Sequence, residues 1–142
     1  GPGTLHTGGM NFTANTHLVY DLNTPNVAGG ADNDLLIITG DLNLDGILDV
    51  NAGDEFTGGL YTLMTYSGNL STGFSPNDSY SSGLLQLGNF DLETYPDAYI
   101  FNVPNAGGPG GTIFLAVPEP GMAAMCALVT AVVAQSRRRR RL

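Results

Sequence analysis

With 142 residues the chain has room for one domain and an appendage, but two full cores would be cramped. Its 20 glycines and 8 prolines, with Asn, Asp, Ser and Thr between short apolar pairs, break the sequence every few residues, which argues against long helices and for many short strands. All five cationic residues are Arg137 to Arg141, so residues 1–136 carry 13 acidic groups without one Lys or Arg; nucleic-acid binding by this body is excluded, because it needs cationic side chains to displace counterions.

The opening GPGTLHTGG has neither an initiator Met nor a charged-then-apolar leader, and it reads as the C-terminal part of a longer protein. From Met10 onward apolar residues recur two apart: Met10 and Phe12, then Leu18, Tyr20 and Leu22, then Leu36 and Ile38. Period two predicts half-buried strands.

The stretch DLNLDGILDV, Asp41 to Val50, has two incompatible parses. As D-x-N-x-D-G it opens an EF-hand or dockerin-like calcium loop over 41–54, with Asp41, Asn43, Asp45 and Asp49 as ligands. Position 12 of such a loop is Ala52, so the bidentate acid is missing, no amphipathic helix follows, and no second copy of the loop exists. As L-x-L-x-G-x-L-x-V it is two short strands joined at Asp45-Gly46, with Leu42, Leu44, Leu48 and Val50 facing one side. The second parse accounts for more residues at once: the acidic groups project outward or sit in turns, and no metal or cofactor is expected. Calcium held by those four residues, helped by the Ala31 to Asp34 run, stays the weaker alternative.

Leu60 to Tyr66 follows a Gly-Gly pair and is the clearest strand; Leu84 to Leu87, Tyr99 to Val103 and Thr112 to Val117 complete the series. No segment before Gly121 has helical spacing. Strands this short fit either a β-solenoid or a β-sandwich. The grammar of LVYDL, LLIITGDLNLDGILDV and LYTLMTYSG resembles the coils that end the β-helical passenger of autotransporter-like and planctomycete surface proteins, over roughly residues 9–73. That resemblance implies an all-β body, the end of a right-handed parallel β-helix, over residues 1–116. The irregular stretch from Pro76 to Pro96 is expected to be an insertion or a cap over the last coil.

Catalytic residues are not expected, and the chain reads as non-enzymatic. His6 and His17 stand in a Thr/Asn-rich region with no Glu at metal or catalytic spacing, and no G-x-S-x-G elbow exists. The pairs Asp54 and Glu55, and Asp91 and Glu93, read as solvated charge rather than a glycosidase dyad. NAGGPGG, Asn105 to Gly111, lacks the Lys and helix of a phosphate loop and reads as a turn before the last strand. Asn11, Asn69 and Asn77 fit the glycosylation pattern, which short sequences often reach by chance. A rival function is a carbohydrate-binding β-sandwich, with Tyr61, Tyr66, Tyr80, Tyr95 and Tyr99 standing in for the missing Trp.

From Val117 the text is VPEPGMAAMCALVTAVVAQSRRRRRL. A prolyl break precedes an uncharged run at 121–136 and the arginine block at 137–141. The apolar core from Met122 to Ala134 spans only about 20 Å as a helix, a short membrane segment whose arginines can snorkel to the interface. The lone Cys126 lies inside it, so no intrachain disulfide is available. The positive-inside rule places the arginines in the cytoplasm and the acidic body outside. The three parts in this order resemble the PEP-CTERM sorting signal. That resemblance implies recognition of Pro118, Glu119 and Pro120 by an exosortase, one membrane helix at 121–136, and Arg137, Arg138, Arg139, Arg140 and Arg141 as the cytoplasmic stop, within a tail of residues 117–142. The expected protein is adhesin-like and structural, exported and membrane-anchored before processing, then at the cell surface or in the extracellular matrix, with exopolysaccharide as a further partner.

Overall fold

The computed structural model describes residues 1–72 and 84–119. Among them the chain winds as three successive coils, each contributing one short strand to each of three sheets. The first coil is β1 (Thr4–Thr7), β2 (Met10–Asn11) and β3 (His17–Leu22); the second is β4 (Leu35–Ile38), β5 (Leu42–Leu44) and β6 (Ile47–Ala52). The third is β7 (Gly59–Tyr66), β8 (Leu70–Thr72) and β9 (Gln86–Leu87), and β10 (Tyr99–Pro104) and β11 (Gly111–Val117) follow as an antiparallel hairpin.

Every coil-to-coil pairing is parallel: β1 on β4 and β4 on β7, β2 on β5 and β5 on β8, β3 on β6 and β6 on β9. The described residues are therefore all-β with stacked parallel sheets, as a β-helix segment requires. The β-sandwich alternative is overturned, since its sheets join strands antiparallel through hairpins. Asp45-Gly46 likewise makes a corner and not a hairpin: β5 and β6 belong to different sheets and do not pair.

Parallel stacking places equivalent residues of successive coils one above another. Leu5, Leu36 and Met64 form one such column, Met10, Leu42 and Leu70 a second, and Leu18, Leu48 and Leu87 a third. These columns fill the space between the sheets, where Leu42, Leu44, Leu48 and Leu63 are fully buried. Each such side chain contributes about 1.5–3 kcal/mol of transfer free energy. The loop from Asn23 to Asp34 is held by Asn33, 1% exposed. Its amide oxygen accepts from the Asn23 and Thr24 N–H groups, and its amide nitrogen donates to the Thr24 and Val27 carbonyls.

The two ends of the stack differ. At the start, β1 and β2 have no strand on their outer edges among the described residues, β3 is met there only by Asn33 and Asp34, and Leu5 stands in an inward column yet is 63% exposed. At the other end β11 runs antiparallel along β7 from Gly111 opposite Tyr66 to Val117 opposite Gly59, and β10 closes outside it. A bulge reconciles the two sides of β7. Leu63 and Met64 both turn inward, so β7 keeps register with β4 on one edge and β11 on the other. Of the stretch Pro76 to Pro96, residues 84–96 are described: β9 finishes the third coil and so is not an insertion, and Phe90 and Tyr95 after it join the core cluster, as does Ala98. Phe56 stacks on Tyr61 at 4.8 Å and meets Phe90 at 6.2 Å and Tyr95 at 5.7 Å, which plugs the core.

Val117, placed with the tail by the sequence, is the last residue of β11. Pro118 is half-buried after it, and Glu119 is exposed with its backbone over Gly58. No helix among the described residues is long and apolar enough to cross a membrane. Pro120, the expected membrane helix at 121–136, and Arg137 to Arg141 lie outside the described residues.

Candidate functional site

The outward side chains of the coils divide the surface into unlike walls. On the sheet of β2, β5 and β8, the Asn43 amide nitrogen donates to the Asn11 side-chain oxygen at 2.6 Å, and the Ser71 hydroxyl donates to the Asn43 oxygen at 2.9 Å. A polar ladder thus climbs three coils. On the sheet of β3, β6 and β9, His17 Nδ1 meets Asp49 Oδ2 at 2.6 Å, Asp49 Oδ1 accepts the Asn89 N–H at 3.1 Å, and Asn89 Oδ1 accepts the Val50 N–H at 2.7 Å. Beside it the Asn51 amide donates to Asp21 at 2.9 Å.

The residues of the calcium parse are therefore separated by the corner they were expected to build around. Asp41 accepts the Asn69 N–H at 2.7 Å, Asn43 belongs to the amide ladder, and Asp45 accepts its neighbour's N–H from Gly46. Asp49 faces His17 on a different sheet. Each has a protein partner where solvent alone was expected. Of the Ala31 to Asp34 run, Asn33 is buried and Asp34 accepts from the Gly3 and Asp21 N–H groups. Among the described residues no three His, Cys, Asp or Glu converge.

The other candidates separate in the same way. His6 is exposed on β1. Glu55 accepts from the Thr24 hydroxyl while its N–H donates to Asn23. Asp91 closes a turn by accepting from the Glu93 and Thr94 N–H groups, and bonding to Thr94 and then Glu93 holds its carboxyl below the ordinary value. The tyrosine platform of the rival reading does not assemble among the described residues: Tyr61 and Tyr66 are core, Tyr95 is half-buried in the plug, Tyr99 is exposed on β10, and Tyr80 lies outside the described residues. Tyr20 is also internal, donating to the Leu63 carbonyl at 3.0 Å; burial first, and the Asp34 charge second, push its phenol well above the usual range.

Sequence reasoning missed the His17–Asp49–Asn89 contact. Its signal was the coil offset, 32 residues for His17 and Asp49, for Asn11 and Asn43 as well, and 28 for Asn43 and Ser71. The His17 hydrogen bond first, and the Asn89 N–H second, hold the Asp49 carboxyl below its ordinary 3.8. A lowered folded-state value means that the carboxylate stabilises the fold above that pH and loses this contribution as pH falls through the lowered value. In urea titrations the wild type is expected to exceed Asp49→Asn at neutral pH, with the gap closing as the solution is acidified below 3.8. A gap that stays constant with pH would rule the linkage out.

No protein-family model matches the chain, and no solved structure does. Among curated proteins, it is 44% identical over 73 residues to a protein named adhesin BmaC autotransporter, from Brucella suis biovar 1 (strain 1330). The match takes in 49% of this chain and 2% of that protein, so the chain spans a small fraction of the relative's length. The autotransporter-like side of the coil grammar thus has support in a partial, distant similarity to an adhesin; the comparisons supply nothing for the Pro-Glu-Pro tail.

Proposed function

We propose that the body is the closing segment of a longer, right-handed parallel β-helix in an adhesin-like, non-enzymatic surface protein. The observation that carries this reading is the inequality of the stack's ends. Among the described residues one end is open, with β1 and β2 unpaired on their outer edges and Leu5 exposed in a core column; the other is sealed by an antiparallel hairpin and an aromatic plug. A solenoid needs its cap only where the stack stops. The likeness to an adhesin autotransporter favours a surface role.

The tail supplies the route in this reading. Pro118, Glu119 and Pro120 are the motif offered to an exosortase, residues 121–136 the membrane segment, and Arg137 to Arg141 the cytoplasmic stop, leaving the acidic body outside, in contact with exopolysaccharide. The test is topological. An epitope inserted between Gly107 and Gly108, where nothing lies within 4 Å of either added Cβ, is expected to leave the fold intact and to be digested by protease added to intact cells. An epitope that is cut only after lysis would sink the proposal.

A further inference from the structure

Two of the three sheets have no acidic residue in their strands, and they differ in what they turn outward. The sheet of β2, β5 and β8 shows solvent the Asn11, Asn43 and Ser71 ladder, whose polar groups bond to one another. The β7, β11 and β10 side of the other sheet is apolar. Its first row across the strands is Leu60, Ala116 and Tyr99; its second ends in Phe114 and Phe101, and its third at Val103. Leu60 is 42% exposed, Tyr99 39% and Val103 46%. The rings form one run, Tyr99 with Phe101 at 5.5 Å and Phe101 with Phe114 at 5.4 Å. A continuous apolar patch of this kind marks contact with a protein or a membrane.

The exit of the chain from the fold decides between them. β11 ends at Val117, opposite Gly59, and the Glu119 backbone then lies over Gly58, so the tail departs from the corner that holds the first row. The loop joined to Leu60 through Asn26, whose N–H donates to the Leu60 carbonyl at 2.7 Å, adds exposed Val27 there. Only three peptide steps separate Glu119 from Met122, where the apolar run begins, and three residues reach at most about 10 Å. The headgroup layer on each side of a bilayer is itself roughly 5–8 Å deep. A tail seated in lipid therefore holds Leu60 and Tyr99 at the membrane surface. Charge then selects the lipid. Asp97 and Glu119 are exposed beside this corner, and no Lys or Arg precedes residue 137 to meet an anionic headgroup.

We propose that the outward face of β7, β11 and β10 leans on a bilayer of zwitterionic lipid, with the row of Leu60 and Tyr99 lowest. This rests on the reading of residues 121–136 as the membrane segment. Tyr99 suits the interface, since its ring is apolar and its hydroxyl can reach the headgroups. Each further row along the strands stands at most about 7 Å higher, so contact fades from Tyr99 through Phe101 to Val103.

The chain has no Trp and a single Cys, so one preparation reads both the face and the tail. With the 142-residue chain in phosphatidylcholine vesicles, Cys126 is expected to resist a charged maleimide that labels it in denaturant. Tyr99→Trp is expected to emit at shorter wavelength and to lose most of that emission to acyl chains brominated near the headgroup. Val103→Trp is expected to lose less, and Val19→Trp, exposed on β3, none. Phosphatidylglycerol in the vesicles is expected to relieve the quenching of Tyr99→Trp while Cys126 stays protected; quenching that it strengthens overturns the proposal. A protected Cys126 with an unquenched Tyr99→Trp overturns the proposal and leaves the membrane segment standing, whereas a Cys126 labelled in vesicles removes both. Tyr99→Trp emission already at shorter wavelength without lipid, and indifferent to bromine, would mean that a second copy or the tail covers the face, and overturns it too. Phe101→Trp takes the same reading if Tyr99→Trp fails to fold.

Discussion

Replacing Gly46 by alanine is expected to lower the unfolding free energy by about 2–5 kcal/mol, the sum of left-handed backbone strain and a collision that must push the chain aside. Gly46 has φ +109°, and a Cβ there would run into the Thr16 carbonyl oxygen of the coil above and stand 3.0 Å from that of Thr13. Those atoms cannot retreat freely. The Thr16 oxygen accepts the Ile47 N–H at 2.8 Å, and the Gly46 oxygen accepts the Gln86 N–H at 2.9 Å, so the corner is stitched to the coils on both sides. Gly30→Ala is the control: φ is +80° but nothing lies within 4 Å, and its cost is expected to be about 1 kcal/mol from conformation alone. Urea midpoints of the two variants measure the difference. It is also expected to be the same with calcium or chelator present, because this glycine bends the chain beneath a neighbouring coil and not around a cation. Equal losses for the two variants would mean that coil-on-coil contact does not fix the corner.

How far the fold could be read from the sequence follows from where its determinants lie. Leu42, Leu44, Leu48 and Val50 alternate with polar residues because one face of each strand is buried, and that alternation is local. Thr4–Thr7 has no such signature, since three of its four residues are exposed at the open end; it is a strand because β4 pairs with it. Leu70–Thr72 offers one apolar residue and depends on β5 in the same way. The choice of parallel coils over a sandwich is encoded in an offset of about 30 residues and not in any single strand; Asn51 and Asp21 stand 30 apart. The same offset brings His17 to Asp49, so the ladders stay invisible to a reading made one segment at a time. The tyrosines are the opposite case. Tyr61 alternates in phase with Leu63 and therefore faces inward, whereas Tyr99 is out of phase with Ile100 and faces outward; counting tyrosines as a sugar platform passed over a distinction the period already contained.

Tyr61→Ala is accordingly expected to destabilise the protein by about 3–5 kcal/mol, the range for truncating a large buried aromatic. The ring is fully buried at the sealed end, stacked on Phe56, and its hydroxyl accepts the Thr57 N–H at 3.1 Å and donates to the Thr57 carbonyl at 2.9 Å. Removing it empties the plug where β7 must hold β11, so the hairpin loses its seat and the parallel edges beneath are laid open. Tyr61→Phe keeps the packing and forfeits the hydroxyl bonds, an expected cost of about 1 kcal/mol. Tyr99→Ala, on the exposed face, is expected to stay within about 1 kcal/mol. Thermal melts of the three variants, read beside binding to a glycan array, separate the two roles a tyrosine can play here. A residue that serves as a sugar platform loses binding and keeps its melting temperature. One that closes a solenoid loses the melting temperature first, and Tyr61, placed between the last coil and its cap, belongs to the second kind.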